Sequence, residues 1–171
     1  MSALRTVATG REVLIRALEA TDRAAVARLV RSVALFSTAE REVAVEVLDS
    51  YLEDPGKDYF ALGAFTQRSV LLGYACYGPT PCTSGTWDLY WIAVAGDARG
   101  RGIGTLLMEE IERRLVQHHA RLVLIETSSR ADYEPTRGFY ERRGYQVVAR
   151  VPDFYAVGDD RMIFARTIDS V

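Results

Sequence analysis

Short runs of apolar residues and helical stripes take turns along the chain. EVLIRA, residues 12–17, predicts a strand. Ala25, Val26, Leu29, Val30 and Val33 then recur at helical spacing, and Thr21 and Asp22 offer N-cap oxygens just ahead of them. A second helix is expected over TAEREVAVEVLDSYLED. Thr38 would cap it, with Arg41 or Glu42 three to four residues on, and Pro55-Gly56 would close it. Residues 58–65 and 69–77 predict two strands paired across the polar turn Gln67-Arg68. GPTPCTSG breaks the pattern as a loop, and TWDLYWIAV, rich in aromatic and β-branched residues, reads as a longer strand.

The second half continues in the same way. A helix is expected from about residue 104 to 118, and RLVLIET is a strand with a buried character. PTRGFYERR (135–143) is a helix opening on proline and ended by Gly144. YQVVARV and DRMIFART are strands around the loop PDFYAVGD. The order β-α-α-β-β-β-α-β-α-β-β does not alternate strictly, so an α+β fold is expected rather than a doubly wound sheet. No linker or repeat divides residues 1–171, and one domain is expected.

Composition narrows the function. The chain is 49% hydrophobic and 26% charged with a net charge of −2, which argues against a general nucleic-acid binder. No apolar run reaches the length of a membrane span, and no signal pattern opens the chain. Cys76 and Cys82 match neither a CxxC pair nor a zinc site. A cytoplasmic protein with reduced thiols is the expectation.

Between the strand TWDLYWIAV and the following helix lies RGRGIGT, residues 99–105. A Walker A loop would need lysine after Gly104, where Thr105 stands, and a GxGxxG fingerprint from Gly100 would need glycine at 105. A helix N-terminus remains. Its first N–H groups lack intrahelical acceptors and the helix dipole favours an anion there. Gly100, Gly102 and Gly104 keep side chains clear of a diphosphate, and Arg99 and Arg101 add charge.

These residues resemble motif A of the GNAT superfamily of N-acetyltransferases, Gln/Arg-x-x-Gly-x-Gly/Ala, filled here by Arg99, Gly102 and Gly104. PTRGFYERRGYQVV is similar to the family's motif B, and the likeness runs over about residues 58–167. It implies an acyl-CoA N-acyltransferase fold: a mixed, largely antiparallel sheet of six to seven strands, about four helices, and a V-shaped splay between strands 4 and 5, here TWDLYWIAV and RLVLIET. The implied activity is direct acetyl transfer from acetyl-CoA, with no metal, to a primary amine of a small or amino-acid-like acceptor. A protein or peptide amine, or a non-catalytic acyl-CoA sensor, are the other classes. The resemblance leaves room for a homodimer.

On this resemblance the pyrophosphate falls to Arg99, Gly100, Arg101, Gly102, Ile103, Gly104 and Thr105, and the pantetheine arm to the backbone of Ile92, Ala93 and Val94. Tyr140 matches the family's proton donor to the leaving thiolate. Motif B's usual asparagine and alanine are replaced by Tyr133 and Thr136, which leaves Thr136 and Tyr140 at the cofactor and Ser128, Ser129 or Arg130 as stand-ins for the asparagine. The amine must lose a proton before it attacks, and Asp88 or Glu126 is the candidate base. Asp88 sits in an apolar strand, where an isolated charge is costly without a reason. Trp87, Tyr90 and Tyr155 are candidate acceptor contacts. Asp153, Tyr155, Asp159 and Asp160, in the loop before the last strand, would favour a cationic or polar amine.

Overall fold

The computed structural model describes residues 3–6 and 12–168. Its strands are β1 (Ala3–Thr6), β2 (Glu12–Ala17), β3 (Phe60–Phe65), β4 (Leu71–Pro79), β5 (Thr86–Val94), β6 (Leu122–Ser128), β7 (Gln146–Ala156) and β8 (Asp159–Thr167). The helices are α1 (Arg23–Ser32), α2 (Thr38–Glu53), α3 (Ile103–Gln117) and α4 (Glu134–Arg142), with short 3₁₀ turns between elements. The fold is α+β with mixed, mainly antiparallel strand pairing, as expected. Among the described residues there are eight strands rather than six to seven. The addition is β1, four residues too short to display a period, held by an antiparallel ladder from Ala3↔Ile15 to Thr6↔Glu12.

The chain divides into two compact units, one comprising the described residues up to Gly78 with Trp91–Arg114, the other Pro79–Tyr90 with Leu115 onward. In the first, the strand order is β1-β2-β3-β4, followed by the end of β5. Val26, Leu29 and Val30 of α1 and Ala44, Leu48 and Tyr51 of α2 pack with Phe65, Tyr74 and Cys76 of the sheet. Each such side chain contributes roughly 1.5–3 kcal/mol on burial.

The helix caps differ from expectation. α2 is capped by Ser37, not Thr38: Ser37 Oγ accepts from Glu40 N–H at 3.2 Å and Glu40 returns a bond to Ser37 N–H at 2.7 Å. The reciprocal pair satisfies two end donors at once, which Thr38 with Arg41 or Glu42 does not do. Ahead of α1, Asp22 makes no side-chain cap to that helix. It accepts two hydrogen bonds from the Arg16 guanidinium, at 2.6 and 2.9 Å, and one from Glu19 N–H. A charged partner outbids a backbone amide.

In the second unit the order is β5-β6-β8-β7. β5 and β6 are parallel over Thr86–Leu89 and Leu122–Ile125, and β5 continues five residues past that ladder to Val94. β8 is antiparallel to both β6 and β7. The segment expected as a loop, PDFYAVGD, is mostly strand: β7 extends to Ala156 through an irregularity after Val151, and the chain reverses at Val157-Gly158. Pro152 and the polar residues masked this as a turn, but Asp153 organises it by accepting from Gly158 N–H at 2.7 Å.

Candidate active site

In the first unit the glycine segment is built from three constraints. β5 ends at Val94 and leads through a 3₁₀ turn, Gly96–Ala98, whose Ala98 is buried. Gly100 and Gly102 take φ of +71° and +83°, left-handed values that cost other L-residues energy, and no atom lies within 4 Å of where their Cβ atoms would stand. The space beside these two glycines is therefore open. Leu106 N–H bonds Gly102 O at 3.0 Å. The amides of Ile103, Gly104 and Thr105 precede it in the first turn, where N–H groups lack intrahelical acceptors.

Two further contacts fix this segment. Ile103, Leu107, Met108 and Ile111 are buried along one side of α3. Gly73 on β4 permits the approach, since a Cβ there would meet Ala93 O at 2.9 Å and Ile103 Cγ2 at 3.1 Å. Arg99 Nε reaches Val94 O at 3.4 Å, and both Arg99 and Arg101 are exposed. Ile92 and Val94 are half-buried and Ala93 is buried. Deeper in α3, Glu110 is fully buried and receives hydrogen bonds from Arg113 (2.7 and 2.9 Å) and Arg114 (2.9 Å). Burial alone would raise its pKa, but these bonds outweigh it and hold the carboxyl down to about 2.

The second unit sorts its candidates onto two faces of one sheet. Asp88 registers with Leu124, and Glu126 with Ile163. By alternation Asp88, Tyr90 and Glu126 share a face. Ile125 and Phe164 register with each other on the opposite face, where Tyr140 packs, its ring 5.9 Å from Phe164 and 6.2 Å from Tyr145. Trp87 also turns to that side, buried and 5.1 Å from the His118 ring, so it lies away from Asp88 and Tyr90.

Tyr140 is 4% exposed. Its burial, and to a lesser degree the nearby Tyr133, pushes the phenol above its ordinary value. The helix that carries it is well held. Pro135 stands in the first turn, and Gly144 at φ +82° ends it. Arg137 Nη1 donates to Ser128 O and Arg130 O, each at 2.8 Å, joining α4 to the end of β6. Thr136 is half-buried one turn before Tyr140.

On the opposite face Thr80 Oγ1 donates to Asp88 Oδ2 at 2.6 Å. Glu126 is bonded by Arg161 Nη2, and the Phe154 ring lies 4.8 Å from that guanidinium. Arg161 went unnoticed at the sequence level, although an arginine inside the apolar run RMIFA was the available signal. Tyr155 is exposed on β7, its ring 4.9 Å from Phe154.

Several side chains expected to be available are committed elsewhere. Ser128 Oγ bonds the buried Asp159 and accepts from Arg130 N–H. Ser129 Oγ accepts from Asp160 N–H at 2.8 Å. Arg130 pairs with Asp132. The carboxylate of Asp160 receives Arg150 and the Asp153 amide, first the amide and then the guanidinium keeping it below the usual carboxylate range. Asp159 and Asp160 are thus buried and hydrogen-bonded at the start of β8. Among the described residues no helix is long and apolar enough to cross a membrane, and no three His, Cys, Asp or Glu side chains gather as a metal would require.

A glycine cradle at a helix start, a parallel β5–β6 pair and a tyrosine on the next helix define an acyltransferase of the GNAT type. The sequence matches the Acetyltransferase (GNAT) family over residues 24–145, and the chain belongs to that family. A GNAT-family protein of known structure from Desulfovibrio desulfuricans is similar at 39% identity and a TM-score of 0.87, over 92% of this chain and 99% of that one. Two others share the fold. The ribosomal-protein alanine N-acetyltransferase of Escherichia coli is 20% identical, with a TM-score of 0.75 over 93% and 96% of the two chains. An aminoglycoside 6'-N-acetyltransferase complexed with coenzyme A is 19% identical, with a TM-score of 0.72 over 91% and 97%.

Proposed function

We propose that this chain is one catalytic domain of the cytoplasm that acetylates a primary amine of a small or amino-acid-like acceptor, with acetyl-CoA as donor. The observation that carries the reading is the cradle: two left-handed glycines with open space above them, followed by the first-turn amides of α3, which have no intrahelical acceptors. That donor set suits a diphosphate, since it offers N–H groups and dipole without side-chain bulk. Arg99 and Arg101 would add charge beside it, and the Ile92–Val94 backbone would pair with an extended amide-bearing arm. Thr136 and Tyr140 complete the contacts we assign to coenzyme A. When bound, the thioester supplies an activated acetyl group.

The residues of the second unit divide the proton work. The acceptor enters as an ammonium ion and must give up a proton to become a nucleophile. Asp88 and Glu126 share the face from which it is taken. Glu126 is engaged by a guanidinium and Asp88 only by a hydroxyl, so we assign the proton to Asp88, directly or through water, and to Glu126 the holding of the acceptor. Tyr140, on the other face, keeps its proton at neutral pH and donates it to the departing thiolate.

The test is release of free coenzyme A from acetyl-CoA across a panel of small amines, amino acids and peptides. Turnover of at least one small amine, with N-acetyl product identified by mass, is the expected result. Binding of acetyl-CoA with no turnover of any amine overturns the enzyme reading, and turnover of peptides alone overturns the acceptor class.

A further inference from the structure

The face that holds Asp88 and Glu126 carries charge of both signs. Moving outward from β5, the carboxylates of Asp88 and Glu126 come first, and on β8 the guanidinium of Arg161 reaches back to Glu126. An exposed ion pair of this kind contributes little to stability. Its surroundings are also not those of a pair made for stability. Arg161 spends Nη2 on Glu126, while its Nε–H is buried without a hydrogen-bond partner among the described residues. A guanidinium has five N–H donors in a planar fork, so one carboxylate held through Nη2 does not exhaust it. A buried donor left without an acceptor is costly, and an oxygen of a ligand would repay that cost.

Phe154 adds orientation. Its ring stacks 4.8 Å from the guanidinium carbon. Stacking covers the flat face of the fork and leaves its edge, where the N–H groups point, as the side open to an anion. The side chain keeps 28% of its surface accessible.

We infer that Arg161 recognises a carboxylate on the acceptor, so that the preferred substrate is a free amino acid whose ammonium lies at Asp88 and Glu126 and whose carboxylate lies at Arg161. The strand order suits this, because Glu126 on β6 lies between Asp88 on β5 and Arg161 on β8. Charge order suits it too: a dication would meet Arg161 with like charge, and an uncharged alkylamine would leave the guanidinium unused. This rests on the acetyltransferase reading above and specifies its acceptor.

The experiment compares kcat/KM for free amino acids with that for their carboxamides, which keep the side chain and amine and lose only the charge. A carboxamide's amine is the less protonated of the two, so amine chemistry alone favours the amide. The expected result is an acid preference of about tenfold to a hundredfold, the worth of one charge-assisted hydrogen bond. In Arg161→Gln the acid-to-amide ratio falls to one or below, and Arg161→Lys restores part of the acid preference. Equal use of acid and amide by the wild-type protein, or an unchanged ratio in Arg161→Gln, overturns the inference while leaving the enzyme reading intact. Turnover of neither compound by the wild-type protein overturns this inference, and only absence of turnover across the whole amine panel, with acetyl-CoA still bound, overturns the enzyme reading as well.

Discussion

Glu126 and Tyr140 stand on opposite faces of the sheet formed by β5, β6 and β8. Glu126 registers with Ile163, while Tyr140 packs against Phe164, the next residue along β8. Alternation along β6 and β8 makes this separation unavoidable once Ile125 is buried beneath α4, because neighbouring side chains of a strand point apart. The face away from α4 is therefore the one that gathers Asp88, Glu126 and Arg161.

Tyr140→Phe tests the donor role. Removing only the hydroxyl should lower kcat by about 10²-fold, the low end for a positioned acid, while KM for acetyl-CoA stays nearly constant. Because burial raises the phenol's pKa, the donor form persists above its ordinary value near 10. The wild-type rate should accordingly show no alkaline decline assignable to Tyr140 up to about pH 10. A decline within that range that disappears in Tyr140→Phe would mean the phenol ionises there and is no buried donor. An unchanged kcat would remove Tyr140 from the reaction.

The cradle predicts two distinct failures from two glycine-to-alanine changes. In Gly102→Ala the new methyl meets open space, but the left-handed backbone is strained by roughly 1–2 kcal/mol. In Gly73→Ala the backbone is unstrained, but the methyl meets Ala93 O and Ile103 and must push α3 off β4. Both should raise KM for acetyl-CoA several-fold. Because ligand stabilisation follows affinity, saturating coenzyme A should raise the Tm of both variants by less than it raises that of the wild-type protein.

Most of the fold was legible in the sequence, and the exceptions have physical causes. Long periodic elements such as α3 and β5 declare themselves because a buried stripe repeats over several turns or alternations. β1 does not, since Ala3–Thr6 offers two alternations at most. The β7–β8 ribbon was hidden because Pro152, Asp153 and Gly158 are turn residues, yet an edge strand tolerates proline and a left-handed Asp153 at an irregularity. For the candidate site, the glycine segment and Tyr140 could be proposed from sequence because the strand and helices that carry them are contiguous with them. Arg161 could not. Its pairing with Glu126 joins residues 35 positions apart through a strand register. The commitment of Asp159 and Asp160 to Ser128, Arg150 and Asp153 was invisible for the same reason.

Ser37→Ala tests the cap of α2. The substitution removes the acceptor for Glu40 N–H and the reciprocal geometry that keeps Glu40 over the helix end. Loss of about 1 kcal/mol is expected in urea unfolding, with the m-value unchanged. Thr38→Ala, by contrast, should leave stability within about 0.5 kcal/mol, as an exposed surface change does. The reverse ranking would place the cap at Thr38.

The buried Glu110 gives stability its acid limb. Its folded carboxyl titrates near 2, held there by Arg113 and Arg114, against about 4.3 in the unfolded chain. Since the folded value is the lower one, the contribution is complete above the unfolded value and is lost as pH falls from about 4.3 toward 2. Glu110→Gln removes the charge and leaves Arg114, only 17% exposed, beside a neutral amide. Breaking a buried pair costs about 3–5 kcal/mol, and the 40% exposure of Arg113 brings the expected loss to the order of 2–3 kcal/mol at pH 7. The decisive comparison is Tm against pH for both proteins. The gap between the curves should be widest near neutrality and narrow steadily below about pH 4. A gap independent of pH would mean that Glu110 acts through packing and not through its charge.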